Sequence, residues 1–352
     1  MPARRTGPLP SGVNRRSEAL DATRGVAILL VVAFHWLGLP FGWTGVDLFF
    51  VLSGTLIGGI LLDHRESQTY YQTFYGRRAF RIFPLYALFI AVMAGVGVTT
   101  LPLWRYLTFT QNFAWAATGL IGSGPTGLTW SLAVEEQFYL VLPLMVRLLS
   151  RRSLLFASTG LVLAAPLVRE GLMQAIGGFA PYVLLPGRMD TLFAGVAIAC
   201  LVRDPVHLAA IRRWIACLPV VAAAWLAGFL CLFLWAGFEP GSALMYRLGY
   251  SMTTLGYAAG VLWVAARERQ SCGFPALSLA GVGAYSIYLF HQTVGTLVRD
   301  AVPGAFLVGL LAAAGVMAAV AALCWFGIEK RMIAVASARW AYRVSPGMTR
   351  GQ

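Results

Sequence analysis

The chain has 352 residues, of which 59% are hydrophobic and only 12% carry a charged side chain. Soluble domains carry about a quarter charged residues, so this composition excludes a soluble globular protein and indicates an integral membrane protein. The net charge of +13 does not indicate nucleic-acid binding, because the basic residues form short clusters between apolar segments, as membrane topology predicts.

Ten segments are apolar and long enough to cross a bilayer, which takes about 20 residues. We therefore predict an all-α polytopic membrane bundle that forms a single domain over residues 1–352. It has a basic tail at 1–19, about ten transmembrane helices over 20–328, and a second tail at 329–352. The predicted spans are 20–39, 45–62, 82–100, 128–148, 153–168, 181–202, 214–236, 245–265, 278–298 and 304–327.

The basic residues predict the orientation of this bundle. With the amino terminus inside, about 22 of the 27 Lys and Arg residues lie on the cytoplasmic side. About four lie outside: Arg105, Arg169, Arg247 and Arg299. Both termini are therefore expected in the cytoplasm. The first span is not a signal peptide, because it is too long for one and no A-x-A cleavage site follows it.

The first predicted helix carries two ionisable residues, Arg24 and His35. They are separated on an α-helix by a rotation of only about 20° and a rise of about 16 Å, so they share one face. Ionisable groups in lipid are costly and are functional candidates by default. The topology places Arg24 near the cytoplasmic end and His35 near the outer end.

Other predicted helices bring polar side chains to the same outer half of the membrane. Asp47 begins the second helix and is expected near His35, although a carboxylate there could simply cap the helix. Arg188 and Asp190 of the sixth helix could form a structural ion pair or belong to a site. The fourth and ninth helices supply the remaining candidates: Trp130, Ser131, Glu135, Glu136, Tyr139, Tyr285, Ser286 and His291.

A basic cluster, Arg77, Arg78 and Arg81, lies at the predicted cytoplasmic boundary of the third span. In a helical turn Arg78 and Arg81 project side by side, and such arginine pairs suit bidentate binding of phosphate. Contact with lipid headgroups is the alternative reading of this cluster.

Five motifs follow one another along nearly the whole chain. They are LDATRGVAILLVVAFHW, GVDLFFVLSG, GRRAFRIFPLY, TWSLAVEEQFYLVLPL and, late in the chain, AYSIYLFHQ. In this order they resemble the acyltransferase-3 family of integral membrane O-acyltransferases, many of which decorate cell-surface polysaccharides. The resemblance implies that His35 is essential, that Arg24 and the Arg78/Arg81 pair are required, and that acyl-CoA is reached from the cytoplasm. The expected location is the cytoplasmic (inner) membrane of a bacterium.

The chain departs from the family pattern in two ways. Some members carry a carboxyl-terminal hydrolase-like domain outside the membrane, whereas this chain ends soon after the tenth predicted span. The membrane domain itself, or a separate extracytoplasmic partner, would then acylate the acceptor. The GVDLFFVLSG motif is followed by TLIGGILL rather than directly by an aromatic residue.

These residues support a mechanism for moving an acyl group from a thioester to a hydroxyl. His35 is the expected catalytic residue, as a general base or as a covalent acyl carrier. Asp47 or Glu135 is expected to orient its ring. Arg24 and the 77–81 cluster would hold the phosphates of acyl-CoA, while the acceptor arrives from the outer side. Ser53 and Ser131 are poorer nucleophile candidates, because neither has an assigned base beside it.

No permanently bound cofactor is expected, and acyl-CoA, by default acetyl-CoA, is a donor substrate. The other expected partners are the bilayer and a carbohydrate or glycolipid acceptor, with no nucleic acid. The five cysteines are isolated and form no C-x-x-C pair, so no metal site is expected.

Three rival functions remain open at this point. Buried His, Arg, Asp and Glu also suit an ion-coupled transporter or flippase, although no repeated pair of broken helices is present. A non-catalytic scaffold would gain nothing from costly buried charges. The same chemistry on a small cytoplasmic acceptor is the third. His291 could assist His35, bind the acceptor or pack, and Trp130 and Tyr139 could be ordinary interface aromatics.

Overall fold

The computed structural model describes residues 17–119, 121–122, 124–236, 239–267 and 273–343. Residues 1–16 and 344–352, which belong to the predicted tails, lie outside these ranges. Within them every regular element is helical, which confirms the all-α class. The helices are α1 Glu18–Leu37, α2 Gly45–Asp63, α3 Tyr70–Gly95, α4 Leu103–Leu107, α5 Gln111–Thr118, α6 Gly124–Gly127, α7 Thr129–Leu148, α8 Arg151–Ala175, α9 Ala180–Val183, α10 Leu185–Val202, α11 Pro205–Arg213, α12 Leu218–Ala236, α13 Tyr250–Ala266, α14 Pro275–Val282, α15 Ala284–Ala301, α16 Phe306–Cys324 and α17 Lys330–Arg339.

Seven stretches of the described residues are long and apolar enough to cross a membrane. This confirms a polytopic membrane protein, and the seven correspond to the first, second, third, fifth, sixth, seventh and tenth predicted spans. They are Glu18–Leu37, Gly42–Asp63, Tyr70–Gly95, Arg151–Ala175, Ala180–Val202, Leu218–Trp235 and Phe306–Arg339.

The other three predicted spans are also helical. By length and composition alone, however, these helices are too polar or too short to qualify as membrane-crossing. Helix α7 carries three charged residues, Glu135, Glu136 and Arg147. Helix α13 has 17 residues and is preceded by a wider π-turn at Met245–Gly249. The ninth predicted span is divided at Gly283 into α14 and α15. The count of ten membrane helices therefore stays a prediction.

The centre of the bundle is formed by α2 and α10. Buried residues make up 83% of the span that contains α10, but only 17% of the span that contains α12, which lies at the periphery. Glycines let the two central backbones approach closely, since a Cβ on Gly54 would overlap the carbonyl of Leu192. A Cβ on Gly195 would likewise overlap the carbonyl of Val51. Small residues at the interface are the usual means by which membrane helices pack this closely.

The segment between α3 and α7 folds onto the bundle through buried amide side chains. Gln111 donates from Nε2 to the carbonyl of Thr129 at 2.9 Å. Asn112 donates from Nδ2 to the carbonyl of Val183 at 3.0 Å. Both side chains are fully buried, so these bonds satisfy groups that would otherwise be costly to bury. Helix α5 is therefore held in a fixed position against α7 and α9.

Two helices extend beyond their predicted bounds. Helix α3 begins at Tyr70, so the 77–81 cluster lies within its third and fourth turns rather than in a preceding loop. At the other end of the chain, residues 330–339 of the predicted tail form α17. These extensions occur because helical hydrogen bonding does not stop where the apolar sequence stops.

Candidate active site

A cavity of about 570 Å³ lies beside the carboxyl-terminal half of α1. Most of its large lining side chains are aromatic, and His35 is one of its few ionisable groups. Ile121, Gly122, Gly124 and Gly127 line one side of the cavity, and the 239–242 segment lines another. Its lining residues are Val31, Phe34, His35, Trp43, Val46, Ile121, Gly122, Gly124, Gly127, Leu128, Trp130, Phe179, Tyr182, Glu239, Pro240, Gly241, Ser242, Tyr288 and Gln292.

The ring of His35 is held by two contacts at the same nitrogen. Its Nδ1 atom lies 2.9 Å from the carbonyl oxygen of Val31, one helical turn earlier. The same atom lies 3.1 Å from Nε2 of His291 on α15. Two histidines from distant parts of the sequence are therefore in contact at the wall of the cavity. His35 lines the cavity, and His291 does not.

The partner ring, His291, is fully buried. Its Nδ1 atom lies 2.8 Å from the carbonyl oxygen of Tyr288 and 3.1 Å from that of Ile287. The indole of Trp36 donates to the His291 carbonyl at 2.9 Å. Helices α1 and α15 are therefore joined at this level both by side chains and through the backbone.

Neither carboxylate expected to orient His35 contacts its ring. Asp47 is fully buried and pairs with Arg188, and it accepts a hydrogen bond from Thr253 at 3.3 Å. Its helix face is directed towards α10 and α13 instead of α1. Asp47 therefore belongs to a buried polar cluster with Arg188 and Thr253, and it does not orient the His35 ring.

Arg188 and Asp190, for which an ion pair and a role in a site were both open, do not pair with each other. Residues two apart on a helix point to nearly opposite sides. Arg188 pairs with Asp47 and lies over the ring of Tyr250, with 4.0 Å between Cζ and the ring centroid. Asp190 instead accepts from Nη1 of Arg169 at 2.7 Å, and both of those side chains are fully buried.

Arg169 is a structural residue that the sequence analysis placed outside the membrane. Its location follows from the length of α8, which continues to Ala175 and carries Arg169 into the bundle. The position of this arginine within a continuous helical pattern was the sequence signal that could have predicted its burial.

Glu135 has other partners at a different level of the bundle. The hydroxyls of Ser53 and Tyr139 both donate to its Oε1 atom. The guanidinium of Arg78 lies 5.9 Å above the Tyr139 ring. Glu136, on the neighbouring face of α7, interacts electrostatically with Glu135 and Arg78. The expectation that Glu135 orients His35 is therefore replaced by a polar cluster of Ser53, Glu135, Glu136, Tyr139 and Arg78.

Arg24 and Arg81 share an acidic neighbour that lies in the predicted tail at 329–352. Both interact electrostatically with Glu329, which ends the π-turn between α16 and α17. Ser286 of α15 donates to the Glu329 carboxylate at 2.8 Å. A carboxylate at the end of a long apolar helix was the available signal for this residue.

Arg77 contacts the segment that follows α17. Its Nε atom donates to the carbonyl of Trp340 at 3.0 Å. Its guanidinium also lies 5.5 Å above the ring of Tyr342, which stacks on His64 with ring centroids 3.8 Å apart. Arg77 therefore holds the chain that follows α17.

The other predicted candidates have local roles in packing or at the cavity wall. Trp130 lines the cavity, and its ring lies 4.3 Å from that of Tyr182. Ser131 forms a 2.6 Å hydrogen bond with the hydroxyl of Tyr288. Tyr285 donates to the carbonyl of Ile82 at 2.8 Å. Among the described residues, no group of three or more His, Cys, Asp or Glu side chains is placed to hold a metal ion.

The chain is similar in sequence to several known membrane acyltransferases. BcsY of Komagataeibacter xylinus, assigned as a membrane-bound transacylase, is 30% identical over 335 residues, covering 85% of this chain and 79% of its own. The O-acetyltransferase OatA of Staphylococcus aureus is 26% identical and covers 81% of this chain. The peptidoglycan O-acetyltransferase OatA of Listeria monocytogenes is also 26% identical and covers 79% of this chain.

The matches to the two OatA proteins cover only about half of those longer chains, 52% and 49% respectively. No solved structure matches the chain significantly. The model of a family described as an acyltransferase domain matches residues 17–328, which include every cavity and cluster residue described above except Glu329, Trp340 and Tyr342. The chain therefore belongs to the acyltransferase-3 family of membrane acyltransferases.

Proposed function

We propose that this membrane acyltransferase moves an acyl group, by default acetyl, from cytoplasmic acyl-CoA to a hydroxyl of a cell-surface carbohydrate or glycolipid. The observation that carries the proposal is the position of His35 in the wall of the cavity, on the same uninterrupted helix as Arg24. The helical rise between the two residues is about 16 Å. That distance is comparable with the length of the pantetheine arm of CoA, so one helix can serve both ends of the donor.

The donor binds, in this proposal, at the end of the bundle that holds Arg24, Arg78 and Arg81. Guanidinium groups recognise phosphate through paired hydrogen bonds. The electrostatic attraction of both Arg24 and Arg81 to Glu329 is consistent with the two arginines lying at the same end of the bundle. This end of the bundle is the one predicted to face the cytoplasm, where acyl-CoA is made.

The acceptor occupies the cavity beside His35. Aromatic walls with a few polar groups are typical of small-molecule sites, and the apolar faces of sugar rings can pack on Trp43, Trp130 and Tyr182. Glu239 and Gln292 supply hydrogen-bonding groups for sugar hydroxyls. The names of the two OatA relatives, both O-acetyltransferases, support a hydroxyl acceptor.

The reaction replaces the thioester by an oxygen ester. His35 takes the proton from the acceptor hydroxyl, the oxygen bonds to the carbonyl carbon, and the carbon–sulfur bond breaks. The CoA thiolate leaves and takes up the proton. A two-step route through an acyl group on His35 leads to the same products.

The proposal is tested by transfer of labelled acetyl from acetyl-CoA to envelope glycan, with purified protein in proteoliposomes. We compare the wild type with His35→Ala and with the matched control His207→Ala, because His207 is an exposed histidine on α11. Label on the glycan, with an equal amount of free CoA, is expected for the wild type and the control but not for His35→Ala. Strong transfer by a folded His35→Ala would overturn the assigned role of His35, and net movement of label without CoA release would indicate a transporter.

A further inference from the structure

The contacts between His35 and His291 determine which nitrogen of each ring carries a proton. In a neutral imidazole one nitrogen donates and the other accepts. The identity of the neighbouring atoms therefore assigns the tautomer of each ring.

His291 is assigned by its backbone neighbours. Its Nδ1 atom faces the carbonyl oxygens of Tyr288 and Ile287, at 2.8 and 3.1 Å, and carbonyl oxygens can only accept. Nδ1 of His291 must therefore carry the hydrogen. Its Nε2 atom is left with a lone pair, directed at Nδ1 of His35 at 3.1 Å.

His35 is assigned by two independent acceptors. Its Nδ1 atom faces the carbonyl oxygen of Val31 at 2.9 Å as well as the lone pair of His291. A lone pair on Nδ1 would be repelled by both, so Nδ1 carries the hydrogen. The lone pair of the His35 ring is then on Nε2, and His35 is a cavity-lining residue whereas His291 is not.

We infer that Nε2 of His35 is the reactive atom and that His291 is a positioning residue that fixes the tautomer and orientation of the ring. This inference rests on the proposed acyl transfer. When Nε2 takes the proton of the acceptor hydroxyl, or the acyl group, the ring becomes positive. The hydrogen bond from Nδ1–H of His35 to Nε2 of His291 then strengthens and stabilises the positive ring. The carboxylate of a Ser-His-Asp triad stabilises its histidine in the same way.

The backbone around the pair restricts its movement. Trp36, the residue after His35, donates to the carbonyl of His291 at 2.9 Å. Adjacent residues of α1 thus bind the side chain and the main chain of one residue of α15. This double attachment gives the two rings a defined separation.

The first test compares two substitutions of His291. In His291→Gln the amide oxygen can accept from Nδ1 of His35, whereas His291→Leu has a similar volume and no acceptor. We expect His291→Leu to lower kcat about 100-fold or more, with the KM for acyl-CoA changed by less than about two-fold. We expect His291→Gln to stay within about 10-fold of the wild-type kcat. Thr296→Val, an exposed position on α15, is the control.

Equal losses in the Gln and Leu variants would overturn the positioning role, as would full activity in His291→Leu. A rise in KM without a change in kcat would instead indicate that His291 binds substrate, and would also overturn it.

The second test does not depend on activity. Nitrogen-15 spectroscopy of histidine-labelled protein distinguishes a protonated ring nitrogen from one with a lone pair, and the chain has only four histidines. We expect a protonated Nδ1 and an unprotonated Nε2 for His35, assigned by comparison with His35→Gln. The reverse tautomer would overturn the inference. If the wild type transfers no acyl group, the proposed function fails, while this spectrum still decides the tautomer.

Discussion

Arg169 and Asp190 form a fully buried ion pair between α8 and α10, with 2.7 Å between Nη1 and Oδ2. The same guanidinium donates to the carbonyl of Tyr246 and to the hydroxyl of Ser251, both at 2.6 Å. On another face of α10, Arg188 pairs with Asp47 of α2. Two ion pairs on opposite sides of α10 therefore fix the rotation of this central helix relative to α8 and α2.

Removing one partner of the buried pair is expected to destabilise the bundle. Asp190→Ala leaves the Arg169 charge uncompensated, and such changes cost about 3–5 kcal/mol. Thermal unfolding in detergent measures the effect. The matched control is Asp63→Ala, which breaks a 2.7 Å pair with Arg203 at the surface and is expected to cost no more than about 1 kcal/mol. A similar loss of unfolding free energy in Asp190→Ala and Asp63→Ala would show that the buried pair stabilises the fold no more than the surface pair.

The basic cluster is expected to divide into two functions. Arg78→Ala and Arg81→Ala remove phosphate contacts in the proposed donor site, so each should raise the KM for acyl-CoA about 10-fold. Arg77→Ala breaks the hydrogen bond to the Trp340 carbonyl. It should lower the unfolding temperature and leave the KM for acyl-CoA nearly unchanged. Steady-state kinetics with Arg152→Ala, an exposed arginine, as control separates these effects. An unchanged KM in both Arg78→Ala and Arg81→Ala would remove the arginines from the donor site.

Gly295 is expected to be indispensable for the geometry of the histidine pair. A Cβ at this position would lie 2.5 Å from Nε1 of Trp36, so Gly295→Ala must displace the indole that holds the His291 carbonyl. We expect kcat to fall up to about 100-fold, because small displacements of catalytic groups are costly. Gly309→Ala on α16, where a Cβ meets no neighbouring atom, is the control. Wild-type kcat in a folded Gly295→Ala would show that Trp36 does not set the pair.

The amino terminus of α11 is expected to make stability depend on pH in the acid range. Asp204 accepts from the backbone amides of His207 and Val206, and these hydrogen bonds lower the pKa of its carboxyl below the ordinary value of 3.8. A lowered pKa stabilises the folded state above the ordinary value, and that stability is lost as the pH falls through the lowered pKa. Asp204→Ala should therefore unfold at a lower temperature than the wild type at pH 7. The difference in unfolding temperature should narrow as the pH falls below the ordinary pKa of 3.8. A difference that does not change with pH would contradict this account.

Hydrophobic spacing was enough to predict the helical membrane class and most of the spans, because each depends on the local run of apolar residues alone. The same local reasoning placed Arg24 and His35 on one helix. It assigned Arg169 and Glu329 to surroundings outside the bundle, since the ends of α8 and α16 are set by helical hydrogen bonding that continues past the apolar sequence. Helix bounds are therefore the weakest part of such a prediction.

The choice of partners for the polar residues was beyond sequence reasoning. Asp47 and Glu135 were both reasonable neighbours for His35, and the packing of α2 and α7 directed them to Arg188 and to Ser53 with Tyr139. His291 lies 256 residues from His35 along the chain, and nothing in the spacing of either motif predicts a contact at 3.1 Å.

The apolar pattern and the motifs thus established the kind of protein and the histidine to examine, because a bilayer imposes the same demand on every span regardless of its neighbours. The tertiary structure decided which face of each helix meets which other helix. Which helix faces meet depends on glycine contacts and ion pairs between distant segments. As a result, the ring of His35 contacts His291 rather than a carboxylate.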